Sequence, residues 1–395
     1  MSNSLNGVII DAARRRLLDD WAIIQRWTSG SAPNTLTQAL SLTSLPGSTT
    51  VNACCLLPNG NVIFICDQLF SFFFIYNPTA NTITLPPNYS LGASPFYKWV
   101  GTENDDHVIF LAPDQNSVIT KYNYVTDTFV STSGTALSNN GFAKGKNKLF
   151  YTVPRYADKI QIYTPTTSSI VNGPLHGYGS VSFSTNGAFW SGVSTPYGTI
   201  VYIPSEATTI GIYNIASNTF SNSSYTGPIS NMFKSGCLAP NGKIILAPHG
   251  WSSVDKVGIY DPITDTFQLG ASTQTNVNYR QAVLTPSGKI VFIPQSLRVP
   301  AVPGVSSQYL TAGGDFGIYD PFTDTFSVSA LNPYSVTNPF GGASLMPNGK
   351  VIFGVTASSS VRNVSVFEGG ADVIDSHEKA TLGYLLTNSA PVFGY

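Results

Sequence analysis

The chain has 395 residues, of which only 10% are charged, and its formal net charge at pH 7 is −1. Because the usual charged fraction is about 25%, Ser, Thr and Asn must supply most of the polar surface. Such a surface lacks the cluster of positive charge that binds nucleic acid or an anionic membrane. We therefore expect neither as a partner.

Residues 1–30 predict a helical anchor followed by a hinge. Apolar residues recur there at steps of three and four, which is the spacing of one helix face, and Arg14, Asp19 and Arg26 lie on the opposite face. A lone helix of this length is marginal in water, so we expect it to dock, either on its own protein or on a partner. The docking face comprises Ile10, Ala13, Leu17, Trp21, Ile24 and Trp27.

A sequence motif with two parts recurs seven times between Val51 and Glu368. In the fifth copy, the Asn241-Gly242 turn precedes an apolar strand, and a Tyr-Asp-Pro-Ile-Thr-Asp-Thr-Phe hairpin follows at 260–267. Asn-Gly favours a tight hairpin because both residues tolerate positive φ. Each copy thus predicts four short antiparallel strands, and units of this kind at intervals of about 40 to 50 residues are typical of a β-propeller.

The seventh copy stops after Phe367-Glu368, before any fourth strand. A segment resembling the fourth strand of the first copy stands at the other end of the repeats, at 32–38. We therefore predict that residues 33–40 form the outer strand of the last blade, which leaves no long sheet edge exposed.

The predicted fold class is all-β, a seven-bladed β-propeller with an N-terminal amphipathic α-helix. Three parts make up the predicted domain organisation. They are the anchor and hinge at 1–30, the propeller at 31–370 and a tail at 371–395.

The residues that usually carry chemistry are few and scattered. The histidines occupy unrelated repeat positions, which disfavours a shared metal site, and no catalytic or cofactor-binding motif is present. The acid pair Asp261 and Asp265 lies within one hairpin turn, which indicates turn capping rather than calcium binding. We expect no cofactor, no metal and no catalysis. The histidines are His107, His176, His249 and His377.

One repeat position combines aromatic and charged residues. Nine residues before each turn glycine most copies carry an aromatic, and the next residue is often a cation. This is where a propeller chain crosses to the innermost strand of the next blade, so these side chains could ring the channel mouth and stack on sugars; alternatively, the aromatics pack between blades. The candidate rim residues are Tyr97, Lys98, Phe189, Trp190, Phe233, Lys234, Tyr279, Arg280 and Phe340.

The connections expected on that same face vary in length, and the longest runs over 294–314. Variable loops on a regular scaffold are where binding usually resides. Trp251, Arg298 and Tyr309 in these loops are therefore further candidates for ligand binding.

The hairpin Ile-Tyr-Asp-Pro-x-Thr-Asp-Thr-Phe resembles the Tyr-Asp-Pro-x-Thr-x-x-Trp element of Kelch-type propellers, with Phe in place of Trp, over roughly residues 51–368. The resemblance implies a propeller. Function must come from the site, because this fold hosts enzymes, lectins and scaffolds alike.

In composition and layout the chain also resembles structural and attachment proteins of large viruses and phages. This resemblance implies a non-enzymatic virion component, made in the host cytoplasm without a secretion signal. It would dock on other virion proteins or on itself through the N-terminal helix, and it would present its variable face to a host-surface glycan. Two alternatives stay open, an intracellular Kelch-like protein-interaction propeller and a carbohydrate-active propeller enzyme.

Overall fold

The structure is a computed structural model in which the described residues form seven four-stranded antiparallel sheets. These sheets are the blades of a propeller. The described residues are 35–42, 50–67, 72–87, 97–103, 108–113, 118–133, 139–178, 187–249, 254–285, 287–297, 315–329, 340–346, 349–356 and 362–368. Among them there is no helix, and so none that could span a membrane. The helix predicted within 1–30 lies outside the described residues and stays a prediction.

The strands follow the chain from the innermost to the outermost position of each blade. One strand, β1 (Thr35–Ser41), precedes the first blade. Blade 1 contains β2 (Thr50–Leu56), β3 (Val62–Asp67), β4 (Phe72–Asn77) and β5 (Thr82–Thr84). Blade 2 contains β6 (Tyr97–Glu103), β7 (Val108–Pro113), β8 (Val118–Asn123) and β9 (Thr128–Ser133). Blade 3 contains β10 (Asn139–Lys144), β11 (Phe150–Pro154), β12 (Lys159–Thr164) and β13 (Ser169–Leu175).

The remaining blades repeat this pattern. Blade 4 contains β14 (Phe189–Ser194), β15 (Thr199–Pro204), β16 (Gly211–Asn214) and β17 (Thr219–Asn222). Blade 5 contains β18 (Phe233–Leu238), β19 (Ile244–Pro248), β20 (Lys256–Asp261) and β21 (Thr266–Ser272). Blade 6 contains β22 (Val277–Leu284), β23 (Ile290–Leu297), β24 (Phe316–Asp320) and β25 (Thr325–Ser329). Blade 7 contains β26 (Phe340–Leu345), β27 (Val351–Thr356) and β28 (Arg362–Glu368).

Strand β1 supplies the fourth strand of blade 7. It pairs antiparallel with β28, with Thr35 opposite Glu368 and Ser41 opposite Asn363. The innermost strand of each blade contacts that of the next, and β26 of blade 7 contacts β2 of blade 1. The blades therefore form a closed ring. The predicted limits of the anchor at 1–30 and the tail at 371–395 fall outside the described residues.

The hydrophobic core lies between neighbouring blades. One cluster joins Cys237, Ile245 and Val257 of blade 5 to Tyr279 and Phe292 of blade 6. Burial of apolar surface contributes roughly 25 cal/mol per Å², so each blade is stabilised mainly by its two neighbours. This dependence explains why the ring has to close.

Strand alternation places the two kinds of connection on opposite sides of the ring. The turns between first and second strands and between third and fourth strands share one side, which we call the short-turn face. Gly242, with φ of 81°, forms one such turn. The connections between second and third strands and those between blades share the other side, which we call the long-connection face.

The hairpin acids on the short-turn face cap their own turns, as the sequence predicts. Asp261 Oδ1 accepts a hydrogen bond from the Ile263 N–H at 2.9 Å, and Asp265 Oδ1 accepts one from the Tyr260 hydroxyl at 2.8 Å. Asp265 Oδ2 also accepts the Ser224 N–H of blade 4 at 2.7 Å. Asp265 therefore joins two blades as well as closing its own hairpin.

We predict that Asp265→Ala lowers the free energy of unfolding by about 2 to 4 kcal/mol. The variant loses charged hydrogen bonds and forces Ala into positive φ. Asp265→Asn should cost less, because Asn81 and Asn218 hold the equivalent place with φ of 52° and accept a tyrosine hydroxyl. Denaturant unfolding measures both. Thr264→Ala on the same exposed turn is the control, and equal losses for Thr264→Ala and Asp265→Ala would contradict the prediction.

The buried histidine His176 joins blades 3 and 4. Its Nε2 lies 2.6 Å from the Ala157 carbonyl oxygen, to which it donates, and its Nδ1 accepts the Tyr178 N–H at 3.2 Å. Its ring also packs against Phe189 and Phe220 of blade 4. Burial lowers the pKa of His176, although the Ala157 hydrogen bond and Asp158 act in the opposite direction. Both ring nitrogens are satisfied only in the neutral form.

Because the folded pKa of His176 lies below its unfolded value, its contribution to stability is complete above about pH 6.5. That contribution declines as the pH falls from there through the folded pKa. Between pH 7.5 and pH 5 we expect the unfolding free energy of His176→Gln to fall less than that of the wild type. The difference should be about 1.4 kcal/mol for each pKa unit by which folding lowers the pKa of His176. His249→Gln is the matched control, and identical pH profiles for wild type and His176→Gln would contradict this role.

Candidate functional site

Each innermost strand carries a β-bulge near the long-connection face. In blade 5, Phe233 pairs with Pro248 and Ser235 pairs with Ala247, so Lys234 is the extra residue. Trp190 in blade 4 and Arg280 in blade 6 are the extra residues at the same place. Because a bulge re-aims the side chain that it inserts, these three side chains are set apart from the regular alternation of their strands.

A proline lies opposite the start of most of these bulges. Pro204 pairs with Phe189, Pro248 with Phe233 and Pro294 with Tyr279. Proline has no N–H to give to the sheet and is tolerated at bulges. The repeated proline at the end of the second strand therefore belongs to the bulge.

Three of the aromatics that precede the bulges lie in the core and not at the channel mouth. Phe189, Phe233 and Tyr279 are fully buried, which corrects their prediction as rim residues. They pack in the core, and the third strand makes room for them with a glycine: a Cβ on Gly258 would lie 2.7 Å from the Phe233 ring. Burial raises the pKa of the Tyr279 hydroxyl, so this group is neutral near pH 7. The aromatics act by packing between blades, the alternative that the sequence left open.

The bulge residues of blades 4 and 5 meet polar side chains from neighbouring blades. Lys234 Nζ lies 4.8 Å from the centroid of the Trp190 ring and donates to Gln295 Oε1 at 3.1 Å. The same oxygen accepts His249 Nε2–H at 3.0 Å, and the His249 ring lies 6.3 Å from that of Trp190. Arg155 Cζ of blade 3 lies 6.0 Å from the Trp190 centroid. We call Arg155, Trp190, Lys234, His249 and Gln295 the rim cluster.

The rim cluster has the composition of an anion-binding surface. Lys234 is 8% exposed, and Arg280, at the same bulge position on the next blade, is 7% exposed. Charges held away from bulk water act through a lower effective dielectric and attract an opposite charge more strongly. Trp190, which is only partly buried, adds a flat apolar face for a ring. The arrangement can bind a negatively charged group beside a ring.

Several sequence candidates cannot be placed in this cluster. Tyr97, Lys98 and Phe340 lie on β6 and β26, with side chains outside the described part of the structure. The loop candidates Trp251, Arg298 and Tyr309 lie outside the described residues, as do His107 and His377. Among the residues that are described, no group of three or more His, Cys, Asp and Glu could hold a metal ion.

Three members of the rim cluster were not predicted from the sequence. Arg155, His249 and Gln295 each directly follow a second-strand proline, which ends the strand in blades 3 and 5 and lies within β23 in blade 6. That proline marks the bulge, so the residue after it points to the same end of the blade. The recurring Pro-polar pair was the signal that could have located them.

Comparison with known proteins identifies the fold and no family. Neither the models of known protein families nor the curated proteins gave a match. A virginiamycin B lyase from Staphylococcus aureus is similar in structure, with a TM-score of 0.62, 12% identity, and coverage of 86% of this chain and 99% of the lyase. A fungal alcohol oxidase of the AA5 family, in complex with copper, also has a TM-score of 0.62, with 12% identity and coverage of 89% and 78%. A chain of a mitotic checkpoint complex has a TM-score of 0.57, 11% identity and coverage of 87% of this chain and 93% of that chain.

These similarities support the β-propeller fold and correct two functional expectations. The expected non-enzymatic virion attachment protein is wrong on this comparison, because the similar structures include lyases and an oxidase. The expectation that the chain is not an enzyme is wrong on the same comparison. At 11 to 13% identity the likeness identifies the fold alone, and neither the viral resemblance nor the Kelch type finds support in it.

We predict that Gln295→Leu destabilises the protein by about 1 to 3 kcal/mol. Lys234 and His249 share the Gln295 Oε1 atom, and removing an acceptor from partly buried donors carries a cost of this size. Thermal or denaturant unfolding measures the change, with Gln268→Leu on the exposed outer strand of blade 5 as the control. An unfolding free energy equal to that of Gln268→Leu would show that the shared oxygen is not a structural link.

Proposed function

We propose that this propeller binds a small carboxylate-bearing ring compound, such as an acidic sugar, at the channel mouth on the long-connection face. The observation that supports it is the position of Lys234 Nζ over the Trp190 ring, with Arg280 at the neighbouring bulge. The proposal concerns the rim cluster and is independent of the Kelch-like hairpin.

The cationic side chains favour an anion over a neutral ligand. Arg155, Lys234 and Arg280 come from blades 3, 5 and 6, and Lys234 and Arg280 are more than nine-tenths buried. An incoming carboxylate would form charge-assisted hydrogen bonds with such donors, which are about twice as strong as neutral ones. The anion would also interact with Lys234 and Arg280, which have already lost most of their contact with water in the folded protein.

The tryptophan and the amide favour a ring that carries further polar groups. Trp190 offers a flat face against which the apolar side of a ring can stack. Gln295 and His249 can exchange their mutual hydrogen bond for bonds to ligand hydroxyls. Pockets that combine an apolar wall with a few directed polar groups are typical of small-molecule sites.

We expect isothermal titration to show that D-glucuronate or D-galacturonate binds more tightly than D-glucose or D-galactose. Lys234→Met should weaken the binding of the acid about 10- to 100-fold, because a hydrogen bond to a charged group contributes roughly 1.5 to 3 kcal/mol. Trp190→Ala should weaken acid and neutral sugar alike. The same samples are also analysed for conversion of the sugar, because the structures similar to this chain include lyases and an oxidase.

Lys289→Met provides the matched control. Lys289 is exposed in a turn on the short-turn face, so its loss changes net charge equally without touching the rim cluster. Acidic and neutral sugars that bind equally, or a Lys289→Met effect as large as that of Lys234→Met, would refute the proposed charge recognition.

A further inference from the structure

An apolar arc crosses three neighbouring blades on the short-turn face. The turns between third and fourth strands present Ala216 in blade 4, Ile263 in blade 5 and Phe322 in blade 6 at equivalent positions. Phe322 is 50% exposed, Ala216 is exposed and Ile263 is partly buried. Phe322 is the large exposed member of this arc, and an exposed apolar side chain next to further apolar positions indicates a surface that another segment can cover.

The arc begins at a cavity formed by blades 3, 4 and 5. The cavity has a volume of about 670 Å³, and its lining includes Tyr197, Ile215, Ala216, Pro262 and Ile263. Its lining comes from turns of the short-turn face and from the adjoining strand ends at Thr199 and Asn214, so it lies on the side of the ring opposite the rim cluster. The cavity and the arc share Ala216 and Ile263, and we call the two together the groove.

The path of the chain leads toward this groove. Thr35, the first residue of β1, lies opposite Glu368, the last residue of β28, and therefore at the short-turn face of blade 7. Blade 7 adjoins blade 6, where Phe322 begins the arc from that side. Thr35, the first described residue, thus lies on the same face as the groove and next to one of its ends.

The segment before Thr35 has the composition to cover the groove. Residues 10–27 carry apolar side chains at helical spacing on one side, including Leu17, Trp21 and Trp27. As a helix they would extend about 27 Å, and residues 28–34 would span up to about 24 Å. That reach suits a path from blade 7 across blades 6 and 5 to the cavity at blade 4.

We propose that residues 10–27 dock in cis along the apolar arc, with their apolar side against Phe322, Ile263 and the cavity. Docking would remove the apolar sides of both surfaces from water, which contributes about 1.5 to 3 kcal/mol for each large side chain that becomes fully buried. The proposal is separate from ligand binding, because it uses the other face of the ring.

The test is amide hydrogen exchange on the full chain, comparing Leu17→Glu with Gln25→Glu. Both variants add one carboxylate and keep a helix-forming residue, but only Leu17 lies on the apolar side. We expect Leu17→Glu to speed exchange in the turns 214–217, 262–265 and 321–324 at least about 10-fold, because docking no longer protects them. Gln25→Glu should leave exchange at wild-type rates.

Solution mass by light scattering identifies the occupant of the groove. A monomer with protected turns and a specific Leu17→Glu effect supports docking in cis. Equal exchange in both variants overturns the proposal. A concentration-dependent dimer that loses protection on dilution also overturns it, because the groove would then hold the segment of a second copy.

Discussion

The hydrogen bonds between β1 and β28 are the interaction on which the rest of the structure depends. Because the core lies between blades, a blade without a neighbour would expose one apolar face, and only a closed ring leaves no such face. Closure depends on pairing the first described strand with the last, more than 300 residues apart in sequence. The loop entropy of such a contact grows only slowly with length, whereas non-local pairing slows folding. The ring is therefore held together by a pairing of two strands from opposite ends of the described chain.

Within that ring, a one-residue insertion determines which side chains of the innermost strand join the hydrophobic core. Side chains in a strand alternate between two faces, so a shift of one residue exchanges them. The bulge in β18 places Phe233 in the core and re-aims Lys234, its neighbour in sequence. Pro248 opposite Phe233 gives up no hydrogen bond at this point, because the ladder is already interrupted. The bulge in blade 4 sets Trp190 beside Arg155 and Lys234 of the adjoining blades, and blade 6 carries Arg280 at the equivalent place.

Much of this could be predicted from the sequence. The seventh copy is truncated and residues 33–40 resemble a fourth strand, which together indicated the origin of the outer strand of blade 7. The spacing of Asp261 and Asp265 indicated a capped turn. Counting back from the turn glycines also found Trp190, Lys234 and Arg280. The count assigned Phe189, Phe233 and Tyr279 to the rim because it did not include the bulge. The contacts of Arg155, His249 and Gln295 join different blades, and local spacing carries no information on which blades meet.

The bulge position of blade 7 differs from that of blades 4, 5 and 6. In blade 7 this position holds Gly341 and Gly342, where an added methyl group would overlap the Val51 carbonyl and the backbone at Ala53 and Cys54. The junction between blades 7 and 1 is thus packed too closely for any side chain at its bulge. At this position blades 4, 5 and 6 carry Trp190, Lys234 and Arg280, and Arg155 Cζ of blade 3 lies 6.0 Å from the Trp190 centroid. Tight closure at one junction and a chemically varied rim on the opposite side are two consequences of building seven copies into one ring.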